Sequence, residues 1–174
     1  MKKTIFILIV SLITSVNSAL AGNIGVLDVD KIIQESLAVN DIQKKVDSKK
    51  SNYESEINKK QTSLEAEQKK LEDKKITLSK EAFDKEVKAF ESKVEDLKTF
   101  VDRKQNSLKK ASIDAMGKVN DKVKSIVAEI AKEKNLDIIV PSSQTLYFKD
   151  ELDITAEVLA SLNKKITKVE VKFE

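Results

Sequence analysis

FDKEVKAFESKVEDLKTFVDRKQNSL, residues 83–108, is the stretch whose reading decides the fold. Its apolar residues return at Phe83, Val87, Phe90, Val94, Leu97, Val101 and Leu108, in steps of four and three and then a seven. Lysines and acids fill the gaps. That is the period of a helix packed along a narrow seam. Upstream, Val46 and Tyr53, and then, four residues on, Ile57, Leu64, Leu71 and Leu78, keep a seven-residue period, but Lys60, Glu67 and Lys74 occupy the seam positions between them. One helix carries a full stripe and the other half of one. From Asp41 to Met116 there is neither glycine nor proline, so the pattern predicts a helical hairpin over 41–116, packed more loosely towards its bend.

The bend is placed near 76–82, where the heptad phase breaks and Ser79 followed by Glu81 resembles a helix start. A single continuous helix is the competing reading, about 140 Å long at 1.5 Å per residue. The hairpin is preferred because it brings two strand-like segments together at one end. The first segment is Ile24 to Val29; Asp28 or Asp30 then caps a short helix through Ile32, Ile33 and Leu37. The second is Leu136 to Val140, after a long helix ending near Lys134 with Asn135 as a left-handed cap. Pro141 to Gln144 reads as a turn and Thr145 to Phe148 as a third strand, which predicts a β-hairpin. Asp153 or Thr155 caps a last helix carrying Ile154, Val158, Leu159 and Leu162. Val169, Val171 and Phe173 alternate with charged residues, as in an edge strand or a free tail. Gly117 is either a soft point in the second long helix or a packing glycine.

The layout is therefore a signal segment (1–21), a discontinuous β/α body (22–40 and 117–165), a hairpin arm (41–116) and a C-terminal tail (166–174). Lys2 and Lys3, an apolar run from Ile5 to Val16 and the ending Ala19-Leu20-Ala21 make a secretory signal cleaved after Ala21. The run is shorter than the roughly 20 apolar residues that span a bilayer. Its removal takes two lysines from a net charge of +3. What remains is near neutral, with Arg103 as the one arginine. That argues against specific nucleic-acid binding, which draws on arginine's bidentate fork. The lysine doublets, such as Lys44-Lys45 and Lys69-Lys70, form a solvated face that also suits transient contact with an anionic membrane surface.

There is no histidine or cysteine, no phosphate-cradling glycine loop and no zinc spacing. Serine–lysine neighbours such as Ser48-Lys49 and Ser79-Lys80 fall on solvated helix. The chain reads as no enzyme, with no cofactor and no metal site; Asp28-x-Asp30 lacks the six to eight oxygens of a calcium site. Outside the arm, roughly 75 residues are near the size at which a lone core is marginal, which points to a core completed between subunits.

Ile24-Gly-Val-Leu-Asp-Val-Asp-Lys-Ile-Ile-Gln-Glu-Ser36 resembles the opening of the Skp (OmpH) family of periplasmic chaperones. So does the closing block Leu136 to Val140, Leu146 to Phe148 and Asp153 to Leu159. The resemblance covers nearly the whole chain and implies a mostly α fold with a small β part. Three subunits would share a small β-barrel body from which the hairpins hang as coiled-coil arms. It implies a homotrimeric, ATP-independent periplasmic holdase that shields unfolded outer-membrane β-barrel proteins. The candidate client-binding residues are Ile57, Leu64, Leu71, Leu78 and Phe83. The candidate oligomerisation core is Ile24, Val26, Leu27, Val29, Ile138, Ile139, Val140, Leu146 and Phe148. The tail beyond Lys165 extends past the family's usual end, and the lone arginine leaves a lipopolysaccharide site unplaced. The alternative function is an exported structural coiled-coil spacer or adaptor without client activity, whose seams would be well filled.

Overall fold

The computed structural model describes residues 22–174; the expected signal segment lies outside them. In chain order the elements are β1 (Ile24–Leu27), α1 (Val29–Glu35), α2 (Leu37–Lys74), α3 (Lys80–Lys134), β2 (Ile138–Pro141) and α4 (Thr155–Lys165). Two single 3-10 turns, Ser142–Gln144 and Asp150–Leu152, lie between β2 and α4.

Local chemistry sets most of these boundaries. Asp28 caps α1 by accepting the Lys31 N–H at 2.9 Å, and its own N–H donates to Thr155 Oγ1 at 2.8 Å, tying α1 to the start of α4. Asp28 therefore ends the strand, and Val29 is helical rather than the strand's last residue. Ser36 closes α1 and caps α2. It is fully buried at the corner, and the next N–H, Leu37, donates to Asn163 Oδ1 at 2.8 Å. Ser79 caps α3 through the Ala82 N–H, which places the bend at Lys75–Ser79, within the span expected from the sequence. At the far end of α3, Asn135 takes the left-handed conformation (φ 53°) and the Leu136 N–H reaches the Ala131 carbonyl at 2.8 Å, an αL stop.

α2 and α3 form the long antiparallel hairpin. Their 38 and 55 residues span about 57 and 82 Å at 1.5 Å per residue. The excess length of α3 carries the chain back past the start of α2, so β2 arrives beside β1. The two strands pair in parallel, with Ile24 opposite Ile138 and Val26 opposite Val140. The other side of β1 is taken by Asp153–Ile154, whose Ile154 N–H donates to the Val26 carbonyl at 2.9 Å. The core lies where α4 packs against α1 and the root end of α3, with Ile126, Val158 and Leu162 fully buried.

Three further sequence expectations are corrected. Thr145–Phe148 is not a strand, and no β-hairpin follows β2. β1 satisfies β2 from the far end of the chain, Pro141 ends the segment, and Leu146 and Tyr147 project into solvent. Residues 166–174 form no edge strand, yet they are docked, with Val169 only 4% exposed. Gly117 is not a packing glycine, because an added Cβ would meet nothing within 4 Å; α3 runs through it unbroken.

Candidate functional site

Towards its tip the hairpin is open. From Glu54 to Asn106 no residue is buried. Ile57, Leu64 and Leu71 follow one another along α2, Leu78 stands in the bend and Phe83 in the first turn of α3, and each is half-buried. They make a strip rather than a pocket: Ile57 to Leu71 alone runs about 21 Å along the helix. Leu64 shares a groove of about 360 Å³ with Leu97 and Phe100. Leu71 shares one of about 190 Å³ with Phe90.

The polar seam positions of α2 are not empty places. Lys60 Nζ stands 5.0 Å over the Phe100 ring, Glu67 pairs with Lys93 at 2.6 Å, and Lys74 pairs with Glu86 at 3.2 Å. Each reaches across to α3 and fixes the register of the two helices. The four side chains of the two salt bridges are at least one-third exposed, so such pairs contribute little stability individually.

Towards the root the two helices hold a third segment, the tail. Asp41 and Lys45, one turn apart on α2 and paired at 2.7 Å, bracket Val169. The Val169 N–H donates to Asp41 Oδ2 at 3.0 Å, and Lys45 Nζ donates to the Val169 carbonyl at 2.8 Å. From α3, Lys118 Nζ donates to the Glu170 carbonyl at 3.1 Å. Ser107 Oγ serves Glu174 twice, accepting its N–H and donating to its main-chain oxygen, both at 2.9 Å. The Tyr53 hydroxyl donates to that same oxygen at 3.3 Å, and Lys110 pairs with the Glu174 carboxylate. Lys49 and Lys104 stand 4.9 and 4.3 Å over the Tyr53 ring, and Lys49 also faces Phe173 at 5.9 Å.

The electrostatics follow from these contacts. The hydrogen bond from Lys45, then that from the Val169 N–H, holds the Asp41 carboxyl below its usual range. Lys110 is raised by its hydrogen bond to Glu174. In the body, Lys165 lowers Glu129 in the same way and fastens α4 to α3.

The residues expected to join subunits divide into two sets. Val26 and Leu27 are already buried within the chain. Ile24, Val29, Ile138 and Leu146 are exposed, at 42%, 44%, 55% and 108%, and Ile139, Val140 and Phe148 are half-buried. Of these exposed residues Val29 also lines an apolar groove of about 290 Å³, with Ile33, Val39, Met116 and Val123 among others. Among the described residues no group of three or more Asp and Glu is placed to hold a metal ion, and no helix is long and apolar enough to cross a membrane.

The heptad reading missed the tail's seat. One signal was available: Ser107, Ala111 and Ala115 stand four apart on α3 and are all buried, a row of small residues where the large-residue seam thins out. A small-residue row leaves room for a segment to approach the helix, and Val169 packs in the same cluster as Ala115.

A family model described as Outer membrane protein (OmpH-like) matches residues 23–162. A protein of Aquifex aeolicus (strain VF5), itself uncharacterised, is 34% identical over 166 residues, covering 94% of this chain and 98% of that one. The crystal structure of an OmpH-like protein from Caulobacter crescentus CB15, provisionally assigned as an outer membrane chaperone, is similar with a TM-score of 0.81. It is 16% identical, and the match covers 88% of this chain and 90% of that one; the likeness is one of fold.

Proposed function

The chain belongs to the OmpH-like outer membrane protein family, and from that premise we propose that it is an ATP-independent periplasmic holdase for unfolded outer-membrane β-barrel proteins. As a member of that family it is non-enzymatic. The observation that carries the reading is the open tip: over residues 54–106 apolar side chains line a helical hairpin without any being buried. A strip of half-buried residues such as Ile57, Leu64, Leu71, Leu78 and Phe83 provides many weak, sequence-tolerant contacts rather than one specific pocket. Their sum over several arms gives avidity without a nucleotide cycle.

The proposed assembly is a homotrimer. Ile24, Val29, Ile138 and Leu146 are exposed apolar residues on a small body, and among the described residues the outer edge of β2 has no strand partner. An edge of that kind invites pairing with another chain. The periplasm is the proposed compartment, reached by cleavage after Ala21.

A second reading, a structural spacer, draws on the pairs Glu67–Lys93 and Lys74–Glu86. They show that the polar seam is complementary rather than merely deficient. One experiment separates the two. Light-scattering mass of residues 22–174 is measured alone and after addition of a β-barrel protein diluted from urea. A mass of three chains that rises by one client, with the client kept soluble, supports the holdase. A trimer that leaves the client to precipitate supports the spacer, and a monomer removes the shared-barrel assembly.

A further inference from the structure

The seat of the tail has an unusual chemistry. An extended segment exposes an N–H and a carbonyl at each residue, which a neighbouring strand would ordinarily satisfy. Here side chains of two helices do so at Val169, Glu170 and Glu174. Asp41 supplies the acceptor and Lys45 the donor for the two sides of Val169, and the Ser107 hydroxyl supplies both for Glu174. Lys118 adds a donor to Glu170. The lengths match: five steps of extended chain from Val169 to Glu174 cover about 17 Å. Asp41 to Tyr53 covers about 18 Å of helix. Apolar side chains enter at every second position, Val169 buried and Val171 and Phe173 half-buried.

Almost every polar contact is to the main chain of the tail; the salt bridge of Lys110 to the Glu174 side chain is the exception. Main-chain recognition with apolar footing at alternate residues selects a conformation and a pattern rather than one sequence. That pattern, alternating apolar and polar, is also the pattern of transmembrane β-strands.

We infer that the root groove between α2 and α3 is a site for extended segments of alternating apolar and polar residues, and that residues 166–174 occupy it as an internal competitor. The inference rests on the holdase reading for the identity of the segment: a strand of an unfolded β-barrel protein enters when the tail leaves. The tail thereby sets a threshold for client capture at the root that the open tip does not have.

The test uses a fluorescent peptide of residues 166–174 and a control of the same composition with its apolar residues grouped. A chain ending at Lys165 binds the patterned peptide at least tenfold more tightly than the full chain, and binds the control no better than the full chain does. In the full chain, Ser107→Cys with Glu174→Cys places thiols on two residues already in contact, with no native cysteine to compete. Oxidation then blocks peptide binding and reduction restores it. Should the shortened chain lose its helix content, Val169→Asp in the full chain frees the tail and shows the same tenfold gain. Equal binding by all forms, or none by a helical chain lacking the tail, overturns the inference. Suppression of β-barrel protein aggregation is followed in parallel. Peptide binding without any suppression leaves the groove standing and removes the holdase reading. Full suppression by oxidised and reduced chains alike, with no peptide bound, removes the groove and leaves the holdase.

Discussion

The root and the tip of the hairpin are built from the same two helices, yet they are held in different ways. At the root Ile42, Tyr53, Ala111 and Ala115 are buried. Across the tip, from residue 54 to 106, nothing is. The stripe of large residues does not explain this, since it is fullest on α3 at Phe83 to Val101, where burial is only partial. What differs is a third element. Two helices alone leave one flank of each seam residue in water, whereas the root is covered by the tail and borders the body beneath it. Burial in this chain follows the number of layers, not the quality of the heptads.

The contrast is broken most severely in the body. Ile126→Ala removes a fully buried side chain and is expected to cost about 2–5 kcal/mol, against about 1 kcal/mol for Leu71→Ala at the tip. Urea titration of both variants checks this; equal losses would mean that the tip is as firmly packed as the root. Next comes Val169→Asp, which forces a carboxylate into the tail's seat or the tail out of it. Forfeiting the burial of one valine costs about 1.5 kcal/mol, so amide protection over 41–53 and 107–118 should fall about tenfold while that of 60–70 stays unchanged. Loss of protection at both ends would show one cooperative unit instead of two. Ser79→Ala removes the cap of α3 and is expected to cost about 1 kcal/mol. It should show as faster exchange at the start of α3 alone.

Smaller still is the coupling of Glu67 with Lys93. A double-mutant cycle should give less than about 1 kcal/mol and shrink as salt is added. The smallest change is expected from pH across the neutral range. The depressed carboxyl of Asp41, facing Lys45 and Lys168, contributes stability above the ordinary carboxylate range that is lost as pH falls through its lowered value. The raised ammonium of Lys110, facing Glu174 and Asp114, contributes below the ordinary lysine value of about 10.5 and loses it as pH rises through its raised one. Tail docking, followed by amide exchange at Val169, should be flat between those limits and weaken in acid first.

Much of the helical framework was legible. The seven-residue period gave α2 and α3; Asp28 marked the start of α1, and Ser79 and Asn135 the two ends of α3, by capping that acts within a turn of each position. The row Ile57, Leu64 and Leu71 was legible for the same reason, as the three repeat every seven residues along α2. The tail's site was not, because its residues come from three places, Asp41 to Tyr53, Ser107 to Lys118 and Val169 to Glu174, and no local period joins them. Likewise Thr145 to Phe148 has the composition of a strand, but composition states a capacity to pair and not the presence of a partner.

By itself, then, the sequence determined where the helices start, stop and face, since periodicity and capping are settled within a few residues. Which extended segment finds a partner was decided only in three dimensions. α3 overshoots α2 and delivers β2 to β1 in parallel, Asp153–Ile154 closes the other edge, and the tail is left to be matched by side chains of two helices. A main-chain hydrogen bond needs a partner within about 3 Å. For β1 and its two neighbours, more than a hundred residues apart in the chain, that proximity is set by the lengths of the helices between them.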